Sequence, residues 1–272
     1  MKIPRFWKAA EEQAEIRGRT MLLRAWGHSD SGPEEALRMA SGRLPSIRQA
    51  IESGRKADSY DYFSRGIREL RVQAWETGGR EHTVLTRNGY GALVLNTERV
   101  MFIDIDVPEG RKVLFFGKGT DERRKERAKQ VEEAVKKRAC PPVRIYETAG
   151  GLRLVALDKT YDPTGAEAGK IMEALGADPL YLRLCRAQQC FRARLTPKPW
   201  RIRFPNPPFR FPEAPEASPY KDWLEKYEKA GASYRVCNLL GTAGADPRRS
   251  EIEEVLKIHD RHCGMKGSGP LG

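Results

Sequence analysis

A chain of 272 residues, 39% hydrophobic and 32% charged, is long enough to bury a full core and too apolar to read as disordered. Its net charge of +12 favours polyanionic partners, nucleic acid or nucleotide phosphates, with a uniformly solvated basic surface as the alternative. No apolar run approaches the length needed to span a bilayer and the N-terminus is charged rather than signal-like, so the expectation is a cytoplasmic protein with no membrane partner.

In chain order, residues 20–26 read as a strand and Ser-Asp-Ser-Gly-Pro as a turn. Residues 34–53 read as one helix, with Pro33 near its first turn and Gly54 just past its end. Residues 70–75, 83–85 and 91–95 are candidate strands, with Gly78-Gly79 and Asn88-Gly89 as the turns between them. Strand 99–107 precedes a charged helix, 121–138, whose Ala128, Val131, Ala134 and Val135 recur at helical spacing. Strands 143–147 and 151–157, helices 164–175 and 179–189, and strand 191–195 follow. That order, β-α-β-β-α-β, is the one found in ferredoxin/RRM-like units. The prolines at 205, 207, 208, 212, 215 and 219 mark an irregular connector. Beyond it come helix 219–230, strand 233–240 and helix 248–262.

The fold class expected is therefore α+β. A central unit over residues 85–204 carries mixed α/β extensions on both sides. Residues 1–84 form an N-terminal α/β extension packed on it, residues 205–263 a connector with a helix-strand-helix appendage, and residues 264–272 a flexible tail. Neither flank has the apolar pattern for an obvious core of its own, so both are expected to wrap the unit.

The most informative segment is Arg-Val-Met-Phe-Ile-Asp-Ile-Asp-Val, residues 99–107. On a strand, Asp104 and Asp106 leave by one face and Ile103 and Ile105 by the other. Two adjacent carboxylates repel each other, so such a pair calls for a divalent cation or for arginines. In ferredoxin-like order the first strand lies between the third and fourth, antiparallel to both. The same parity then puts Arg153, Arg192 and Arg194 on the aspartates' face, taken to be open. Mg²⁺ or Mn²⁺ on Asp104 and Asp106, with those guanidinium forks opposite, would grip a triphosphate from two sides. The turn Thr148-Ala-Gly150-Gly151 would bring backbone N–H groups near phosphate, and Lys198, Arg201 and Arg203 add charge beside Trp200, a candidate stacking platform. A salt-bridge network with no ligand, a plain hairpin turn and a core tryptophan are the competing readings of the same residues.

These residues resemble the archaeo-eukaryotic primase-polymerase superfamily. Phe102-Ile-Asp-Ile-Asp-Val-Pro108 is similar to its apolar strand ending in Asp-x-Asp. Glu147-Thr-Ala-Gly-Gly-Leu-Arg-Leu154 is similar to its small-residue turn and following strand, with Arg153 where the family has a histidine. The resemblance covers roughly residues 85–204. It implies a palm unit whose Asp104 and Asp106 are catalytic and metal-holding. It also implies that Thr148, Gly150, Gly151, Arg153, Arg192, Arg194, Lys198 and Arg201 bind nucleotide phosphates, with nucleotides or nucleic acid as partners and nucleotidyl transfer as the reaction. The family's third acidic residue is not evident, and Phe191-Arg-Ala-Arg-Leu offers arginines in its place. A catalytically inactive nucleotide- or nucleic-acid-binding module with an arginine-rich sheet face is the alternative. A protein in which the cluster only locks the sheet is a third. Nucleotide cyclases with a GGDEF signature are similar only in the Phe102–Asp106 strand.

Five cysteines, 140, 185, 190, 237 and 263, form no CxxC and read as reduced, buried thiols. Zinc ligation is conceivable from Cys185 with Cys190, or from His259, His262 and Cys263, although neither group has paired-ligand spacing. His28, at the end of a strand, reads as a turn or cap residue.

Overall fold

The computed structural model describes residues 1–54, 67–108, 119–137, 139–209, 211–212, 217–247, 249–264 and 269–272. Its β-structure is antiparallel throughout the named strands, and the class is α+β. The chain opens with a long hairpin, β1 (Phe6–Ile16) and β2 (Arg19–Ser29), covered by α1 (Pro33–Ser41) and α2 (Leu44–Glu52). The single helix expected over 34–53 is thus two. Gly42 caps the first, and Pro45, which fits only a first helical turn, starts the second. α1 lies so close on the hairpin that a Cβ at Gly27 would sit 2.1 Å from the Ala36 carbonyl oxygen. Ala10, Ala14, Leu23, Ala25, Ala40 and Leu44 make a small apolar cluster here, separate from the main core.

One four-stranded sheet follows the order β3 (Leu70–Thr77), β4 (Arg80–Arg87), β5 (Leu93–Thr97), β9 (Phe191–Arg194). The other runs β10 (Cys237–Ala243), β7 (Val143–Thr148), β8 (Gly151–Ala156), β6 (Phe102–Asp106). The β3–β4 turn uses Gly78 and Gly79 at φ 59° and 75°, as expected, and the Asn88 side chain accepts from the Tyr90 and Ala92 N–H groups to bend β4 into β5. α3 (Thr120–Lys136) packs on β7, β8 and β10 through Ala128, Val131 and Val135. α4 (Ala166–Ala174) and α5 (Pro179–Gln188) connect β8 to β9, and α6 (Ser218–Gly231) and α7 (Ser250–His262) complete the chain's helices among the described residues.

The sequence order β6-α3-β7-β8-α4-α5-β9 is the expected one, and β6 pairs with β8 as expected. β9 departs from the expectation: its ladder is with β5, and it stands beside β6 without a ladder between them. The start of α5 is the reason. The Asp178 N–H donates to the Asp104 carbonyl at 3.0 Å, and the Tyr181 hydroxyl lies 3.0 Å from the Phe102 carbonyl and 2.9 Å from that of Arg192. The outer carbonyls of β6 are thereby taken by a helix start, and Tyr181 becomes the bridge between the two sheets.

The C-terminal segment is built into the main core rather than appended. β10 forms the sheet's far edge, displaced several residues from the expected 233–240, and Ile252, Val255, Leu256 and Ile258 of α7 join the central apolar cluster. α6 has its own aromatic stack with Ile202: Tyr220, Trp223 and Tyr227, with Trp223 and Tyr227 rings 5.0 Å apart and 11° from parallel. Within the expected flexible tail, residues 269–272 run back along Arg235, whose N–H donates to the Pro270 carbonyl at 2.9 Å. Among the described residues no helix is long and apolar enough to cross a membrane.

Tyr181→Phe removes the bridge and leaves buried backbone groups short of a partner. The expected cost is about 1–3 kcal/mol in chemical denaturation; a change within error would show that the hydroxyl does not join the sheets.

Candidate functional site

On the face of β6 that carries Phe102, Asp104 and Asp106, the central residue is matched across the ladder by Arg153 of β8, and Arg153 by Tyr146 of β7. Arg153 Nε donates to Asp104 Oδ1 at 2.8 Å and Nη2 reaches Oδ2 at 3.3 Å, a two-pronged fork. Nη1 donates to the Arg194 carbonyl at 2.8 Å, which carries the fork across to β9. The side chain of Arg153 is 3% exposed and that of Asp104 34%. Burial opposes the guanidinium's charge, and the Asp104 carboxylate outweighs it, so Arg153 is held above its ordinary range.

Parity placed these residues on an open face. The structure corrects that at Arg153, because α7 lies over it. His259 packs its ring 4.9 Å from Tyr146 and 5.4 Å from Phe102, and its Nε2 is 3.4 Å from Arg153 Nη1. Cys237 and Cys263 complete this buried floor. The Cys263 thiol donates toward Cys237, and this, against the effect of burial, holds the Cys237 thiol below its usual range. Glu147, on the opposite face, pairs with Arg124 of α3 at 3.2 Å.

Two residues along, Asp106 is exposed and lies where β6 leaves the sheet. Burial of part of its carboxyl, then the nearby charges of Asp178 and Asp104, push its pKa up, while Lys198 and Arg201 pull it down. The β7–β8 turn closes the same corner. A Cβ on Gly151 would lie 2.0 Å from the Ile105 carbonyl oxygen, so a side chain is excluded there, and one on Gly150 would lie 3.3 Å from Arg201 Nη2 and 3.9 Å from Asp106 Oδ1, which puts that turn residue beside both charged groups. The cationic row continues with Arg194, whose Nη1 donates to the Thr196 carbonyl at 2.6 Å, and with Lys198. Burial lowers the pKa of both; Arg153 adds to the effect at Arg194, and Arg194 and Arg201 add to it at Lys198. Trp200 is 52% exposed on a short 3₁₀ turn, Pro199–Ile202, edge-on to Tyr90 at 5.0 Å, with Lys198 Nζ 5.3 Å from its ring centre. It is therefore not a core residue.

Asp106, Gly150, Gly151, Lys198 and Arg201 are thus gathered at one corner, with Asp104, Arg153 and Arg194 adjoining it. Arg192 is not among them: its Nη2 donates to both Glu69 carboxylate oxygens, at 2.6 and 2.7 Å, and its Nη1 to Gln188 Oε1 at 2.9 Å, locking β9 to the residues before β3. Thr148 pairs with Gly151 and with Cys237 in the ladders, and the Ala149 carbonyl accepts from Arg124 at 2.7 Å, so the turn is first of all a hairpin. Asp178, which caps α5 by accepting from the Leu180 N–H at 2.9 Å, is an acidic neighbour of Asp106 that sequence reasoning missed. Its signal was a helix cap, Asp-Pro, with nothing to place that cap beside β6. Cys237 was also missed as a companion of His259 and Cys263, while His262 turns away to the Ile258 carbonyl at 2.8 Å. His28 lies opposite Trp7 in the N-terminal hairpin.

No protein-family model, curated protein or solved structure matches this chain.

The two aspartates are expected to respond oppositely to removal of charge. Asp104→Asn uncovers a buried guanidinium and should cost about 3 kcal/mol, the low end for breaking a buried pair. Asp106→Asn should raise the melting temperature at neutral pH. The gain should fade as pH falls through the ordinary carboxylate range, because below it Asp106 is protonated in the folded and unfolded chain alike. Melting curves of both variants at neutral and acidic pH check this; a loss at Asp106 at neutral pH contradicts it.

Proposed function

We propose that this chain is a primase-polymerase-like protein of the cytoplasm that binds a nucleoside triphosphate or a nucleic-acid end, with a divalent cation, at the corner formed by Asp106, Gly150, Lys198 and Arg201. The observation that carries the reading is this juxtaposition of a repelled, exposed carboxylate with basic side chains that, among the described residues, make no ion pair. A site that repels its own charges within each sign is relieved by a ligand bearing both, and a metal-bound phosphate is such a ligand. The exposed ring of Trp200, close to Lys198, supplies a surface for a base.

The donor set fits Mg²⁺ or Mn²⁺ in the manner of phosphate-bridging ions, which take one or two carboxylates and fill the remainder with water and phosphate oxygens. Asp106 would hold the ion, with Asp104, whose side chain is 34% exposed, as the second carboxylate. When bound, such an ion neutralises phosphate charge and orients an in-line attack. Arg194, Lys198 and Arg201 hold and orient the phosphates, and the absence of side chains at Gly150 and Gly151 lets them approach the strand end. In this reading the segment from β6 to β9 is a palm unit opened between its first and last strands by Tyr181.

The fork of Arg153 onto both oxygens of Asp104 favours a second reading, a catalytically silent nucleotide- or nucleic-acid-binding module. With one carboxylate committed, binding persists on cationic side chains and aromatic stacking alone.

Calorimetric titration of mixed nucleoside triphosphates separates the two. Under the first reading binding requires Mn²⁺, is abolished by EDTA or Asp106→Asn, and falls about tenfold or more in Arg201→Ala, the worth of one charge-assisted hydrogen bond. Binding that persists in EDTA and falls steeply with salt supports the second. No binding in any condition contradicts both.

A further inference from the structure

Beneath Arg153, on the side away from Asp106, the floor of the site contains a constellation that phosphate binding does not use. Cys237 Sγ lies 3.9 Å from His259 Nε2 and Cys263 Sγ 3.5 Å from the same nitrogen, and the three atoms all fall within 4.8 Å of one another. Zinc bonds of about 2.3 Å to sulfur and about 2.0–2.1 Å to nitrogen, set at tetrahedral angles, separate ligand atoms by roughly 3.5–3.8 Å. The two sulfur–nitrogen distances observed, 3.5 and 3.9 Å, come within a few tenths of an ångström of that separation.

The backbone builds this geometry from two elements. His259 and Cys263, four residues apart, share one side of α7 and its C-cap. Cys237 opens β10, and the Val236 N–H donates to the Cys263 carbonyl at 3.0 Å, tying strand start to helix end. The imidazole is already oriented. Its Nδ1 lies 2.8 Å from Asp260 Oδ1, and that oxygen accepts from the Tyr146 hydroxyl at 2.9 Å. A carboxylate on one ring nitrogen fixes the tautomer and aims the other nitrogen, the arrangement that supports histidine ligands in metal sites. The guanidinium facing Nε2 can only donate, which agrees with a lone pair there. All three candidate ligands are 0% exposed.

Charge permits an ion. Two thiolates balance a divalent cation, and the charge of Arg153 is met by Asp104 on its other side. Soft thiolates with one imidazole select zinc over the hard cations that suit carboxylates. Among the described residues no other group of three such side chains is so disposed.

We propose that Cys237, His259 and Cys263 bind a single Zn²⁺ ion, with water in the fourth position, that clamps the end of α7 to β10 and backs Arg153. The site is independent of what binds at Asp106.

The test uses the full-length chain, reduced and stripped of metal, titrated with Co²⁺ and then with Zn²⁺ as competitor. About one equivalent of Co²⁺ should bind with a thiolate-to-cobalt charge-transfer band and the intense visible bands of a tetrahedral centre, displaced by Zn²⁺, and stripping should lower the melting temperature. Cys237→Ser and Cys263→Ser should abolish the charge-transfer band, and Cys185→Ser should keep it. Asp260→Asn, which spares the ligands and is the safer variant to fold, should weaken Zn²⁺ binding about 10–100-fold. No charge-transfer band in the reduced wild type overturns the proposal. A band that survives both Cys237→Ser and Cys263→Ser, or a Zn²⁺ affinity unmoved in Asp260→Asn, overturns it too.

Discussion

The fork from Arg153 to Asp104 is the contact on which the rest of the site depends. A guanidinium 3% exposed at the centre of a sheet is tolerable only with a carboxylate on it, and Asp104 supplies one directly across the ladder. Around that pair the other parts take fixed places. The third nitrogen of Arg153 holds the Arg194 carbonyl and so keeps β9 beside β6 in the absence of a ladder, and α7 lays His259 against the guanidinium from behind. The fork therefore joins the two sheets, the C-terminal helix and the start of the cationic row.

The same contact divides the Asp-x-Asp pair. Asp104 is spent largely on structure. Asp106, two residues later at the strand end, has no such partner among the described residues and is surrounded by Asp178 and Asp104 on one hand and Lys198 and Arg201 on the other. Separation of labour between neighbouring carboxylates follows from position along one strand: the inner one meets a sheet neighbour, the outer one meets solvent and loops.

Much of this was legible in the sequence where local pattern decides. The alternation in Phe102–Asp106, the Gly78-Gly79 turn and the helical repeat of Ala128, Val131 and Val135 each specify an element with no long-range help. Parity also put Asp104 and Arg153 side by side on one face, while Arg194 stands on β9 in the neighbouring sheet. It failed where a distant partner intervenes. Arg192 has the same parity as Arg194, but Glu69, 123 residues away, takes it. Nothing local distinguishes Tyr181 on its helix, and only its hydroxyl's place between Phe102 and Arg192 shows why the sheet opens. The first strand, Phe6–Ile16, is rich in Ala and Glu, poor strand formers, and is held extended by its eleven-residue pairing with β2. The Cys237, His259 and Cys263 group is scattered over 22 and 4 residues and becomes a group only when α7 folds back on β10.

The measurement that bears most directly on this account is a double-mutant cycle on the fork, with Asp104→Asn, Arg153→Met and the pair compared by chemical denaturation. A central fork predicts that the double variant is more stable than the sum of the single losses allows, with a coupling of about 2 kcal/mol or more, because each single change strands the other charge. Additive losses would mean that Arg153 and Asp104 are held by other contacts, and the division of the aspartate pair would have no physical basis.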